Sequence, residues 1–450
     1  MRILGAVIQL FPLMIFFKKK KKDILCPENI ITFLYIIRIM IPTIMYAFES
    51  NIELISYPYL KEAVSSDTIY ISYSIIQVIG FFLTILGTKI VGKRHNNNKE
   101  VLYVNELLSK NNINRINFKR WGIIFWGIGF CAFILIMKKV GGFYYFITHL
   151  NYRTFMTRNL DILTLILSFM HYGILLIVYS LKDNNKKISV GLIFFSIITG
   201  LMCGLGGRKT VLLVLIEVFV IYNYTVKPIS FNFFLKGKYV ILFFSMWLLF
   251  FVMVSFRVPG AFEEFLEQPI RFLEANNIGI LDMIRKESYV PFYMAVIYYF
   301  KNHNLWFGAS FKGLLTAIIP SSLYPEKAPV DDGMYLYSIC LGKNNIRPIM
   351  PVYELDGSSL PLETFGSMYA NFGVIGVLIG MLIVGCVIGY FYRKIRKTNE
   401  RLFYLVMYTQ VLVGFELSTL RIFQIFQIMI ILYLVELMGR KMEIISSKKG

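Results

Sequence analysis

Cations placed to grip phosphate are the most informative residues in this chain. Arg208 stands in Gly206-Gly207-Arg208-Lys209-Thr210, between two apolar runs with almost no loop. The glycines allow close backbone approach, and a guanidinium presents a planar fork that matches phosphate oxygens. A tight helical hairpin with a snorkelling arginine is the alternative. Arg257 leaves the end of another apolar run in Ser255-Phe256-Arg257-Val258-Pro259-Gly260 and meets no acid before Glu263. Arg271, by contrast, has Glu267 and Glu274 at helical spacing and reads as an ion-pairing residue. Lys327 lies in an irregular segment whose prolines, Pro320, Pro325 and Pro329, fix an extended shape. It could hold a phosphate, and Asp331 or Asp332 could accept a proton; a rigid loop is the competing reading. Arg347 is a further basic candidate. Glu416 and Arg421 flank a very tight hairpin ahead of Gln424 and Gln427, as a binding pair or as a mutual ion pair.

Groups able to move a proton are fewer. Glu363 and Tyr369 open an apolar run that begins Leu362-Glu363-Thr364-Phe365-Gly366. His303 falls in the longest loop between apolar runs, and imidazole is suited to general base work. Of the other three histidines, His95 and His149 lie between apolar runs and His171 lies inside one. The five cysteines form no Cys-x-x-Cys and no Cys/His cluster with metal spacing, so neither a metal nor a cofactor is expected.

The elements that must position these residues are membrane helices. The chain has 450 residues, 56% hydrophobic and only 16% charged, with mean hydropathy +0.61. Soluble domains hold roughly 45–50% apolar and about 25% charged residues. The apolar runs match the roughly 20 residues that cross hydrocarbon as a helix, and the alternating pattern of barrel strands is missing. The fold predicted is all-α: a polytopic integral membrane protein of about 11 transmembrane helices with one large extracytoplasmic loop. Spans are expected at 24–48, 68–90, 121–137, 161–181, 188–206, 210–226, 239–256, 364–392, 402–420 and 422–438, with 1–17 as a further candidate. No inverted repeat of broken helices is visible.

A net charge of +20 would point to nucleic acid on a soluble protein, but here orientation explains much of it. Alternate loops hold 28 of the 47 Lys and Arg residues, all on one side. By the positive-inside rule that side is cytoplasmic, and so is the C-terminus. Three parts follow: an N-terminal transmembrane bundle over 1–256, a large extracytoplasmic loop with amphipathic helices over 257–363, and C-terminal transmembrane helices over 364–450. Within the loop, 289–300 and 305–319 read as interfacial or membrane-dipping helices. Gly376/Gly380 and Gly385/Gly389 are GxxxG pairs, and packing is their expected role.

Three features in order resemble the Wzy-type oligosaccharide repeat-unit polymerases, the O-antigen polymerase family. Arg208 follows glycine in a tight outer hairpin. A long outer loop carries Ile319, Pro320, Pro325, Lys327 and Pro329. Gly366, Tyr369, Asn371, Phe372 and Gly373 open the next span. The resemblance implies transfer of a growing glycan from one undecaprenyl diphosphate to the free end of another lipid-linked repeat unit. The setting is the outer face of the cytoplasmic (inner) membrane, with no metal and no cofactor. It implies undecaprenyl-diphosphate-linked oligosaccharides and membrane lipids as partners, with a chain-length regulator and a flippase beside them and no nucleic acid. On that view Arg208, Arg257, Lys327, Arg347, Tyr369 and Arg421 bind diphosphate or substrate, and Glu363, Asp331, Asp332 and His303 are the catalytic candidates. An O-antigen ligase and a lipid-linked oligosaccharide flippase or other transporter are the rival readings. A transporter places polar residues at the midplane, whereas these candidates are expected at the outer boundary, which favours an enzyme.

Overall fold

Apolar length and glycine spacing dictate most of the architecture. The structure, a computed structural model, describes residues 2–14, 23–48, 57–92, 116–157, 160–181, 188–229, 237, 239–242, 244–245, 261–275, 288–317, 319, 323–343, 345–355, 358–360, 363–397, 401–414 and 416–447. Among them there is no strand. The principal helices are α1 (Arg2–Ile8), α2 (Pro27–Phe48), α3 (Pro58–Ser65), α4 (Asp67–Gly92), α5 (Ile116–Val140), α6 (Asp161–Tyr179), α7 (Val190–Cys203), α8 (Arg208–Thr225), α9 (Val290–Phe300), α10 (Gly333–Cys340), α11 (Glu363–Lys397), α12 (Leu402–Gly414) and α13 (Thr419–Ser447). Five segments, in α2, α4, α5, α6 and α11, are long and apolar enough to cross a membrane, and α7, α9, α12 and the first half of α13 are shorter apolar helices. This is a multi-pass helical membrane protein. Of the predicted span 239–256, only 239–242 and 244–245 are among the described residues.

Small residues set the helix contacts. A Cβ built on Gly385 would stand 2.1 Å from the Thr84 carbonyl oxygen, and one on Gly389 would stand 2.7 Å from that of Thr88. α4 and α11 therefore meet backbone to backbone, and Thr84 Oγ1 donates across the seam to the Met381 carbonyl at 3.2 Å. α5 and α6 approach as closely at Gly129 and Gly173. At the end of α4 opposite Lys89, Arg2 pairs with Asp67 at 2.8 Å, which seats α1 on α4.

Two breaks in otherwise apolar helices matter most. In α2, Pro42 has no N–H and its ring would strike the Arg38 carbonyl four residues back. The helix responds with a π-turn over Ile36–Met40, closed by the Ile41 N–H on the Ile36 carbonyl. In α11, Gly373 takes φ 65°, ψ −152°, which no side chain tolerates easily. The single span expected over 364–392 is therefore two arms. The first, 363–372, folds back on the second, 374–397: Cβ atoms on Gly376 and Gly380 would meet Met368 at 2.5 and 2.6 Å. The partner of this GxxxG pair is the chain's own preceding arm. Trp306 and Phe307 donate backbone N–H groups to the Ala370 and Asn371 carbonyls at 2.9 Å, capping the end of that arm. α9 packs inside the bundle, stacking Tyr293 on Tyr73 of α4 at 6.1 Å.

Candidate intramembrane charged site

The re-entrant arm carries Glu363 down among the spans. Glu363 has φ 47°, a left-handed conformation that a carboxylate side chain adopts only under constraint. Tyr293 of α9 donates its hydroxyl to Oε2 of Glu363. Arg38, turned inward on the π-turn, approaches Oε1 at 3.9 Å. The Leu417 N–H donates to Thr364 Oγ1 at 2.9 Å, which pulls the segment between α12 and α13 onto the arm and brings Glu416 to the same space. Arg421 follows on α13, close enough for its charge to oppose that of Arg38, with its Nη1 donating to Gln424 at 2.6 Å.

Arg38, Gln77, Tyr293, Glu363 and Glu416 line a cavity of about 160 Å³ beside the apolar Leu34, Val384 and Leu412, and Arg421 stands outside its lining. Gln77 and Thr84 line it from near the middle of the 26-residue α4. The site is thus deeper than the outer boundary expected for Glu363. Depth therefore does not separate an enzyme from a transporter here. Arg38 keeps 38% of its side chain exposed and, among the described residues, donates no hydrogen bond; its one acidic contact is longer than a hydrogen bond. The amide oxygen of Gln77 is buried without a partner among the described residues. Polar groups left unanswered at such depth are costly unless a ligand meets them.

Other sequence candidates take local bonds elsewhere. Asp332 is 1% exposed and accepts from Ser367 Oγ at 2.8 Å and from the Thr419 N–H at 3.3 Å. It does not line the cavity. Asp331 accepts the Gly333 N–H at 2.9 Å at the start of α10. Lys327 donates to the Ile319 carbonyl at 2.5 Å. His303 stacks on Tyr299 at 3.9 Å beyond the far end of α9 from Tyr293, with Nδ1 2.9 Å from the Tyr299 carbonyl. Tyr369 stacks on Phe365 at 6.2 Å, and Arg347 is exposed. Of the sequence candidates only Glu363 lines the cavity; Arg421 stands near Arg38 outside the lining, and these six lie outside it as well. Arg208 opens α8 directly after the Gly204–Gly207 turn, but its side chain and all of Arg257 lie outside the described residues. Among the described residues no group of three His, Cys, Asp or Glu residues could hold a metal.

Sequence reasoning passed over Arg38 and Tyr293. The signal for Arg38 was present: a lone arginine in an apolar span, four residues before a proline. Nothing in the sequence singled out Tyr293, whose role depends on the return of the re-entrant arm.

Fold and site together define a multi-pass helical membrane protein with a charged cavity inside the bundle. Residues 358–432 match the model of a family described as putative O-antigen polymerase, which supports assignment of the chain to the Wzy-type O-antigen polymerases. The matched segment contains Glu363, Glu416 and Arg421. No curated protein and no solved structure matches the chain. The family supports polymerisation of polysaccharide repeat units by a membrane glycosyltransferase-like enzyme that acts on lipid-linked oligosaccharides.

Proposed function

We propose that the chain polymerises repeat units carried on undecaprenyl diphosphate into a surface polysaccharide (O-antigen, capsule or exopolysaccharide), with Arg38 and Arg421 holding the diphosphate in the cavity. The observation that carries this reading is the Arg38 guanidinium, which faces the cavity with its hydrogen-bond donors unused among the described residues. In the reaction, the bond between the sugar's anomeric carbon and the diphosphate oxygen breaks, and its electron pair leaves with the diphosphate. The acceptor hydroxyl oxygen bonds to that carbon, and its proton passes to Glu363 or Glu416. Preorganised guanidinium groups stabilise the leaving charge where water is scarce, and a carboxylate suffices for the proton. Tyr293 steadies Glu363 for that role.

The depth of the site favours one second reading, a lipid-linked oligosaccharide flippase. Deleting the gene and restoring it as Arg38→Lys separates the two. Lysine keeps the charge and loses the fork, so surface glycan of a single repeat unit is expected, with polymerisation reduced on the order of 10²–10³-fold at normal protein level. Glycan held in the cytoplasm would favour the flippase, and normal chain lengths would remove the diphosphate role.

A further inference from the structure

Asp332 stands outside the cavity, between the re-entrant arm and the start of α13. Its carboxylate takes a hydrogen bond from Ser367, one helical turn beyond Glu363 on the re-entrant arm, and another from the Thr419 N–H, two residues ahead of Arg421 on α13. Thr419 also donates its hydroxyl to the Val330 carbonyl, which ties the start of α13 to the loop that bears Asp332. One buried carboxylate therefore spans the gap between the element carrying Glu363 and the element carrying Arg421. We propose that Asp332 is a positioning residue: its carboxylate clamps the re-entrant arm to the start of α13 and so sets the spacing of Glu363 from Arg421, most tightly when it is ionised. The clamp rests on the polymerase reading for the identity of the site.

The donors explain the charge dependence. Ser367 and the Thr419 backbone both offer hydrogens, and an ionised carboxylate accepts from both. A protonated acid has a hydrogen of its own to place. The Ser367 hydroxyl is an acceptor within reach, and it must turn its own hydrogen away, so one arm of the clamp reverses. The titratable neighbours are Asp331 beside it on the loop and Tyr335 within α10. Burial pushes the Asp332 carboxyl up to about 7, against the hydrogen bond from Ser367. Ionisation then falls near neutrality. Because the folded value lies above the ordinary 3.8, Asp332 stabilises the fold below that ordinary value, and this stability is lost as pH rises through about 7. The clamp has the opposite sign and tightens over the same rise. A stability role and a positioning role therefore move activity in opposite directions.

The test uses membranes holding the full chain, supplied with lipid-linked repeat units extracted from a strain lacking the polymerase, across about pH 5 to pH 9. For the native chain, the polymerisation rate should rise through about pH 7. Asp332→Asn, which resembles the protonated acid, should lose that step and stay roughly tenfold below the native rate at high pH, the size of one hydrogen bond. It should also resist unfolding at high pH at least as well as the native chain. Ser367→Ala removes a donor to the charged form, so its step should move to higher pH. A native step that persists unchanged in both variants would overturn the clamp, as would Asp332→Asn matching the native rate throughout. Failure of the site reading looks different: Arg38→Lys would polymerise normally while the Asp332 step remained.

Discussion

Two glutamates, Glu217 and Glu363, sit in the same bundle and differ in how completely their neighbours answer them. Glu217 of α8 is wholly buried; His171 of α6 meets Oε2 and Gln410 of α12 donates to Oε1 at 2.8 Å. Three helices close around it, and both carboxylate oxygens are engaged. Glu363 has one oxygen on Tyr293 and the other facing Arg38 at 3.9 Å, with a second carboxylate, Glu416, in the same cavity lining. It also sits on strained backbone, next to a reversed helix and opposite a π-turn. A closed network locks helices together, whereas an open one, held by strained backbone, keeps hydrogen-bonding capacity for something that arrives. Charge within the membrane is thus no sufficient mark of function, and the unanswered donors are what distinguish the second site.

The sharpest way to break this comparison is to neutralise both acids. Glu363→Gln should reduce polymerisation on the order of 10²–10⁴-fold with unfolding little changed, read from chain length in membranes and from thermal unfolding in detergent. Glu217→Ala should do the reverse. It leaves His171 and Gln410 without their partner and should destabilise by about 2 kcal/mol, while folded protein still polymerises. If Glu217→Ala abolished activity at native stability, the closed network would belong to the reaction. A smaller effect should come from Gly373→Ala, because an alanine held at φ 65° costs about 1–2 kcal/mol of backbone strain. Its Cβ would also crowd Leu305 at 3.3 Å. Activity should fall with the displacement of the re-entrant arm, and an unaffected Gly373→Ala chain would argue against the hairpin.

Much of the helix inventory was legible because length and hydropathy alone set it. The seam at Gly385 and Gly389 was legible for the same reason, since GxxxG spacing reports close helix packing. Glu416 and Arg421 stood out because charge is rare inside apolar runs. The reversal at Gly373 was hidden, because hydropathy stays high on both sides of it and a glycine in an apolar run fits close packing of an unbroken helix equally well. That one feature moved Glu363 from the expected boundary into the cavity. Lys327, Asp331 and His303 resembled chemistry in sequence because their local hydrogen bonds to Ile319, Gly333 and Tyr299 are fixed by loop geometry that spacing does not encode.

The central claim is that the cavity lined by Arg38, with Arg421 beside it, holds the lipid diphosphate, and that the Gly206–Arg208 hairpin does not. The direct measurement is the affinity of the detergent-solubilised full chain for undecaprenyl diphosphate, in native form and as Arg38→Lys, Arg421→Lys and Arg208→Lys. Loss of a forked guanidinium contact should weaken binding about tenfold, near 1.4 kcal/mol, at 38 and at 421, and leave it unchanged at 208. Native affinity in both cavity variants, with weakened binding in Arg208→Lys, would contradict the account and return the site to the hairpin.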